Sequence, residues 1–359
     1  MLEDSKIEDL RRQIDQLDEE ILCLVNERID RAKEVGALKG ESGDKTVYRP
    51  EREAQILQRL TEINSGPLRP AQLQTIFREI ISIARAAESL PRVAVLGPAG
   101  TYSQAAVQQH FGREVEHLFG DDIEDVFRLV ESREAEHGVV PVENSTEGGI
   151  SNTLDCLMTT ALCITGEVSL GVSHSLVGQV KERGLAKTVL GHQQALAQCR
   201  HWLDRHLPAL ERIGVSSNAE AARQASENPA CLAVAGMETA EIYGLNILEQ
   251  GIEDQPGNTT RFFVIGSESA SVSGRDKTSL LLSSRNRAGS LQRLLAPLSE
   301  YGISMSRIES RPSQTGLWEY IFFIDLEGHA DDEIVQKALT VIEQEAALFK
   351  VLGSYPRAI

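Results

Sequence analysis

Positions 10, 14, 17, 21, 24, 28, 31, 35 and 38 are spaced by alternating fours and threes, and all but Arg28 and Arg31 are apolar: Leu10, Ile14, Leu17, Ile21, Leu24, Val35 and Leu38. Such a heptad seam predicts one long helix ending near Gly40. A helix with so continuous a seam cannot bury it against itself, so the pattern predicts a partner chain. The turn formers Gly40-Glu41-Ser42-Gly43-Asp44 follow. Two further helical patterns cover 50–64 and 70–89, with Pro50 and Pro70 where a helix can begin.

Beyond Pro91 the period changes. Strand 92–96 leads through Gly97–Ser103 into a helix from near Gln104, then helix 122–133, strand 137–142, helix 150–160 and strand 164–170. This alternation predicts an α/β fold with a mainly parallel sheet and ligands at the carboxyl ends of its strands. A second α/β stretch, 172–247, holds strands 188–190 and 213–215. The chain then returns through Gly251–Gly257 to an apolar run closed by Gly266, which predicts two lobes and a cleft. A Ser-rich linker, 267–276, precedes strand 278–284, helix 289–301, strands 303–309 and 318–326, helix 331–344 and strand 348–355. That order is the ferredoxin-like βαββαβ. The fold class is therefore multi-domain: all-α over 1–90, two-lobed α/β over 91–267, and α+β ferredoxin-like over 277–359.

Composition narrows the function. A chain of 359 residues has room for two or three cores. The net charge of −17 argues against nucleic acid or an anionic membrane as partner; an anionic small molecule would need locally clustered Arg and Lys. There is no secretory pattern and no apolar run of membrane-spanning length, and the five Cys are scattered without a CxxC pair, which points to reduced cytoplasmic thiols. His201 and His206 have the wrong spacing for a shared metal, and the Gly97–Ser103 turn is neither GxGxxG nor a Walker loop, so no metal or cofactor is expected.

Arg28 and Arg31 interrupt an apolar seam. A buried Arg there is either a specificity device or a ligand site. Lys39 lies about three turns beyond Arg28, on nearly the same face, where the pair could reach around a small dianion. Arg11 lies 17 residues before Arg28, about 25 Å along the helix, and points roughly 100° away. If it binds the same small ligand, it must come from a second subunit. This segment resembles the all-helical chorismate mutases. The resemblance implies a homodimer whose site is lined by the partner's copy of Arg11 with Arg28, Lys39, Arg52, Glu53 and Glu88. Lys39 and Glu88 would face the ether oxygen of chorismate, and Glu88 could donate there only when protonated. Arg49 stands where that family often has Asp, and Ala84 where a small hydroxyl or carboxyl side chain is usual.

Asn258-Thr259-Thr260-Arg261 sits at the mouth of the apolar run Phe262–Gly266, and Val139-Val140-Pro141-Val142-Glu143-Asn144 ends the 137–142 strand ahead of a Gly pair. As pattern alone these are a hydrogen-bonded strand mouth and a loop before a helix, or chemistry presented from rigid elements. Both resemble the signatures of prephenate dehydratases, a family with a fold like the two-lobed periplasmic binding proteins. The resemblance implies Thr260 as hydrogen-bond donor to the departing hydroxyl, Arg261 as electrostatic partner or orienter, Asn144, Gln194 and Gln198 as substrate contacts, and Glu143 behind them. Gly191 stands where Ser is common before the His, so one substrate contact is expected to be missing; His192 alone reads as structural.

Arg287-Ala288-Gly289-Ser290-Leu291 and Glu309-Ser310-Arg311-Pro312 read locally as a helix start and a turn. Both resemble the effector motifs of phenylalanine-responsive ACT domains, with Ser290 where Ala is more usual; the implied regulatory residues are 288–291 and 309–312. The whole chain resembles the bifunctional chorismate mutase–prephenate dehydratases. That implies a cofactor-free enzyme converting chorismate through prephenate to phenylpyruvate under phenylalanine control. A fusion of chorismate mutase to a dehydrogenase would need a dinucleotide fingerprint. A non-enzymatic amino-acid sensor would leave the Arg-bearing helix and Thr260-Arg261 unexplained.

Overall fold

The computed structural model describes residues 2–41, 46–180, 186–284, 287–312 and 320–358. The chain divides into two compact units: Met1–Arg49, Ile56–Pro91 and Phe111–Glu116 form the first, and Pro50–Gln55, Arg92–His110 and His117–Ile359 the second.

In the first unit α1 (Leu2–Glu41) is one unbroken helix that packs on α3 (Pro70–Ala86). Between them in sequence comes α2 (Pro50–Ile63), which belongs to this unit from Ile56 onward and is started like α3 by a proline in its first turn. Leu57, Leu73, Ile81 and Ala84 are buried, as are Tyr48 and Phe111, whose rings meet at 4.8 Å. The Arg85 guanidinium stands 5.5 and 5.4 Å from those two rings and donates to the Phe111 carbonyl. The helical pattern over 70–89 overran: α3 stops at Ala86, and Glu88 lies in the turn beyond it. Along α1 the seam residues Leu10, Ile14, Leu17, Ile21, Leu24, Val35 and Leu38 are each half or more exposed in the single chain.

The second unit holds three sheets. The first lobe contains β1 (Arg92–Leu96), α4 (Tyr102–Phe111), β2 (Glu116–Gly120), α5 (Ile123–Glu131), β3 (His137–Asn144), β4 (Gly148–Gly149), α6 (Ser151–Thr159) and β5 (Cys163–Gly171), and regains the chain at β11 (Thr259–Gly266). Its strands run in the order β2-β1-β3-β11-β5, with β4 paired to β3. The second lobe comprises β6 (Ser175–Gly178), β7 (Thr188–His192), α7 (Gln193–Gln198), α8 (Arg200–His206), β8 (Glu211–Val215), α9 (Asn218–Glu227), β9 (Cys231–Ala235), α10 (Met237–Ile242) and β10 (Asn246–Gln250), in the order β10-β6-β9-β7-β8. The pattern left β2, β6, β9, β10 and α10 unmarked.

The expectation of mainly parallel sheets needs correction. β1 pairs parallel with β3, and β7 with β8 and β9. However, β11 is antiparallel to β3 and β5, and β6 to β9 and β10. A chain that leaves at the end of β5 and comes back from the other lobe must enter the first sheet from that same end, so the return strand runs against its neighbours.

The third sheet, β13-β14-β12-β15, comes from β12 (Asp276–Ser283), α11 (Ser290–Glu300), β13 (Met305–Pro312), β14 (Tyr320–Glu327), α12 (Glu333–Glu345) and β15 (Leu348–Pro356), the expected βαββαβ. The start of the expected strand 318–326 lies partly outside the described residues. Both faces of this sheet are covered, each by alternate side chains. Leu280, Leu282 and Ile324 pack with Leu294 and Leu298 of α11 and Ile342 of α12. Leu281, Ile321, Phe323, Leu352 and Tyr355 join the first lobe's core of Val140, Val142, Leu154 and Phe263. A Cβ on Gly353 would strike the Ile164 backbone, so β15 can lie this close to β5 only because it carries glycine there.

Candidate active sites

A cleft between the two lobes of the second unit is walled by the ends of their elements. Asn144 ends β3, Thr260 lies near the start of β11, Gln194 and Gln198 lie on α7, and His174 occupies the passage from β5 to β6. The starts of α4 and α9 add Ser103 and Asn218. Thr260 pairs with Asn144 across the sheet, and the Asn144 amide Nδ2 donates to Thr260 Oγ1 at 2.9 Å. The Asn144 oxygen accepts from the Thr146 amide at 3.0 Å and the Thr146 hydroxyl at 2.6 Å, which fixes its amide orientation. The Thr260 oxygen therefore accepts from Asn144, a bond that does not use its own proton.

On the other wall, Gln198 Oε1 takes the His174 ring Nε2 at 2.8 Å, which turns the Gln198 amide NH2 away as a donor. His174 Nδ1 lies 3.2 Å from the Tyr102 hydroxyl, which donates to the Ser173 carbonyl at 2.6 Å. The His174 backbone amide donates to Glu253 at 2.8 Å. Burial lowers the His174 pKa, partly offset by Gln198 and Glu253. His174 and Tyr102 had no sequence signal beyond their place at the lobe crossing and at a helix start. Gly191 is not part of the lining: a Cβ there would meet Leu196 and Val234 at 3.1 and 3.4 Å, so that position faces the lobe interior.

Among the described residues lining the cleft there is no Arg or Lys. The expectation of clustered cations for an anionic ligand does not hold here. Hydroxyls, amides and the N-termini of α4 and α9 supply the donors instead.

Two candidates are not in the cleft. Arg261 leaves β11 on the opposite face from Thr260, where it pairs with Glu167 of β5 at 2.8 Å and Asp325 of β14 at 2.5 Å. Glu143, also on that side, meets Arg307 of β13 at 3.2 Å and Arg261 at 3.9 Å. The reason is the strand period: consecutive side chains alternate faces.

In the first unit, Arg28 and Lys39 are half-buried on α1, and Lys39 Nζ donates to the Thr46 carbonyl at 3.4 Å. The Glu88 side chain lies against Gly36, one turn from Lys39 on the same helix, so close that a Cβ on Gly36 would collide with it. This brings Glu88 and Lys39 to one place. Ala84 is buried on α3, and Arg49 immediately precedes α2. Arg52 and Glu53, in the first turn of α2, fall in the stretch Pro50–Gln55 that belongs to the second unit. Arg11 is exposed on α1. On this unbroken helix, 17 residues separate it from Arg28 by about 25 Å. Arg85, buried beside Ala84, was not anticipated.

Of the regulatory candidates, Gly289 caps α11 with φ +76°. Ala288 precedes it and accepts from Arg293 at 3.4 Å; Ser290 opens the helix, its hydroxyl donating to the Arg287 carbonyl at 2.7 Å. Leu291 packs on the third sheet's core. Glu309 of β13 reaches into the first lobe, where its carboxylate occupies the space a Cβ on Gly149 would need. Arg311 donates to the Ser151 carbonyl at 2.6 Å and pairs with Asp155 at 3.2 Å. Ser310 and Pro312 lie on the same strand, and residues 313–319 after it are outside the described residues. Among the described residues no group of His, Cys, Asp or Glu could hold a metal ion, and no helix is long and apolar enough to cross a membrane.

Three family models match in succession: chorismate mutase type II over residues 10–89, prephenate dehydratase over 93–270, and the ACT domain over 278–344. A bifunctional chorismate mutase/prephenate dehydratase of Neisseria gonorrhoeae is 49% identical over 353 residues, covering 97% of this chain and 96% of that one. One from Stutzerimonas stutzeri is 46% identical over 364 residues, covering 100% of both. Among solved structures, the prephenate dehydratase of Arthrobacter aurescens in complex with L-Phe aligns with a TM-score of 0.69 at 33% identity, over 74% of this chain and 90% of that one. Matches that run from end to end set aside both the dehydrogenase fusion and the non-enzymatic sensor. The chain belongs to the bifunctional chorismate mutase/prephenate dehydratases, rearranging chorismate to prephenate and converting prephenate to phenylpyruvate.

Proposed function

We propose that the cleft holding Thr260, Asn144, Gln194 and Gln198 is the dehydratase site. In that reaction the bond to the ring carboxylate breaks with loss of carbon dioxide, its electrons aromatise the ring, and the hydroxyl across the ring departs as hydroxide, which takes its proton from solvent. The Thr260 hydroxyl donates a hydrogen bond to that leaving oxygen. A Thr hydroxyl is a poor acid, so its contribution is stabilisation of developing charge rather than full proton transfer. The bond from Asn144 to Thr260 carries this reading, because Thr260 is the acceptor in it and keeps its own proton to donate. Gln194, Gln198 and the helix N-termini receive the carboxylates.

The mutase site is built around Arg28, Lys39 and Glu88, with Arg49, Arg52, Glu53 and Ala84 as further substrate positions and Arg11 from a second copy. A pericyclic rearrangement needs no covalent catalyst; the site holds the compact conformer and stabilises charge on the ether oxygen. The exposed α1 seam supports a homodimer. Phenylalanine acts as feedback inhibitor through residues 288–291 and 309–312 of the ACT domain; the Arthrobacter structure with L-Phe supports this. The unpaired thiols support a cytoplasmic location, and the domain limits 1–90, 91–267 and 277–359 follow the three chemistries.

The test is to supply purified protein with chorismate, then prephenate, without added cofactor, and to compare Thr260→Val with wild type. Phenylpyruvate formation should fall by about 10²-fold or more in the variant. Wild-type dehydration in Thr260→Val would place the chemistry elsewhere.

A further inference from the structure

Four charges are buried together where the first lobe meets the ACT sheet: Arg261, Glu167, Asp325 and Lys277, none more than 14% exposed. Arg261 Nε donates to Glu167 at 2.8 Å, Nη1 to Asp325 Oδ2 at 2.5 Å and Nη2 to the Tyr355 hydroxyl at 3.1 Å. Ser279 donates to Asp325 Oδ1 at 2.5 Å, so the Tyr355 proton goes to Ser279 at 2.7 Å. Lys277 Nζ reaches Glu167 at 2.9 Å. The guanidinium lies 4.8 Å from the Phe263 ring centre. Two cations face two anions, so the network is balanced. Burying such groups is costly, and their retention points to a geometric rather than a stabilising role.

What needs holding is the cleft end of β11. Its pairing with β3 shifts register between Arg261 and Phe262: Arg261 faces Glu143, but Phe262 faces Pro141. Proline has no N–H to give the ladder, and the bulge bends β3, the strand with the extra residue, so on that side the support of β11 is irregular next to Thr260. The extra residue, Val142, is on β3, and β11 stays in unbroken register with β5 from Thr259 to Val264, so Thr259–Arg261 is held by β5 on one side and faces the bulge on the other, with Thr260 turned into the cleft and Arg261 away from it. Fixing the Arg261 side chain fixes where Thr260 can be.

We propose that Asp325, a residue of the ACT domain, is a positioning residue for the dehydratase reaction: it seats Arg261, and through that neighbour sets the Thr260 hydroxyl. This rests on the cleft being the dehydratase site. The regulatory domain is then part of the dehydratase's framework and not only its sensor.

The experiment uses the full chain with Arg261→Met and Asp325→Leu combined. The double change removes one cation and one anion and leaves Glu167 paired with Lys277, and apolar replacements of buried ion pairs are often tolerated. Dehydratase kcat should fall at least about tenfold, since small misplacements of a reacting group carry such losses. KM for prephenate should stay within about threefold, because the other substrate contacts stay in place. Mutase rates and the unfolding temperature should stay near wild type. Asp325→Asn keeps the shape but weakens the charge-assisted bond, and should give a smaller fall in kcat at unchanged KM. If the double variant does not fold, Asp325→Asn decides alone. Wild-type kcat in the folded variants overturns the proposal. Thr260→Val separates the two readings. Loss of dehydration there, with none in the Asp325 variants, overturns only the positioning role. Full activity in Thr260→Val overturns the site assignment and the positioning role with it.

Discussion

Thr260 and Arg261 are consecutive on β11, yet one side chain enters the cleft between the lobes and the other is buried against Asp325 of the ACT sheet. Burial opposes charge on Arg261, and the oxygens of Tyr355, Asp325 and Glu167 outweigh that, so its pKa is raised and it stays a guanidinium. One dipeptide therefore joins the lining of the cleft to the ACT domain.

The two activities should be separable, because α1 and β11 lie in different compact units. Arg28→Ala should lower the mutase rate by two or more orders of magnitude, as expected for loss of a carboxylate-binding guanidinium at about 3 kcal/mol or more, and leave dehydration within about twofold. Thr260→Ala should do the reverse. Parallel assays of chorismate loss and phenylpyruvate gain check this. Loss of both activities in either folded variant would argue for a shared site.

Much of this was legible from periodicity. The heptads of α1 and the βαββαβ order of the ACT domain are local patterns, and both formed as read. The antiparallel return of β11 was not, because direction depends on which lobe the chain comes back from. The face of Arg261 was legible in principle. In a strand, Thr260 and Arg261 cannot both face one cleft, and a motif read as a unit hid that period of two. His174 was beyond reach: its role depends on Gln198 and Tyr102, which lie 24 and 72 residues away.

The mutase site should be shared between subunits. Arg11 and Arg28 are fixed about 25 Å apart on one rigid helix, too far for one small ligand. Mixing inactive Arg11→Ala and Arg28→Ala chains, with subunit exchange, should restore activity in a fraction of the sites. Demonstrated heterodimers with no recovery would refute the shared site.

His174 should make folding stability pH-dependent. Its folded pKa lies below the ordinary 6.5, chiefly from burial. Between that lowered value and 6.5 the unfolded chain binds more protons than the folded one, so stability rises with pH there. Wild type should hold this contribution in full above pH 6.5 and lose it as pH falls below. His174→Gln keeps a donor for Gln198 without the titration. The stability difference between the two proteins should shift in favour of the variant on acidification. Denaturant unfolding at pH 5.5 and 7.5 measures it, and a difference independent of pH would refute the prediction.

Phenylalanine control should be breakable at two separate points, binding and transmission. Gly289 caps α11 at φ +76°, and a Cβ there has room, its nearest neighbour being Arg293 at 3.4 Å. The backbone is what fails: a β-branched residue held there costs about 1–2 kcal/mol or distorts the helix start whose amides would meet the effector carboxylate. Gly289→Val should therefore weaken phenylalanine binding itself. Arg311 acts elsewhere, tying β13 to Ser151 and Asp155 of the first lobe, while Glu309 fills the space over Gly149, the strand partner of Glu143. Arg311→Ala should leave binding measurable but reduce the inhibition that binding produces. An effector shifts a conformational equilibrium only through unequal affinity for its two states, and the site it acts on must weaken effector binding by the same factor. A substrate analogue should accordingly weaken phenylalanine binding in wild type and do so less in Arg311→Ala. Point variants are the right probes. Deleting residues 277–359 would strip Asp325, Lys277 and Tyr355 from Arg261 and Glu167 and uncover Phe263, destabilising the first lobe itself. Calorimetric titration of phenylalanine beside dehydratase assays on both variants decides. Full inhibition in Gly289→Val would put the sensor elsewhere, and undiminished inhibition in Arg311→Ala would show that the signal does not pass through β13.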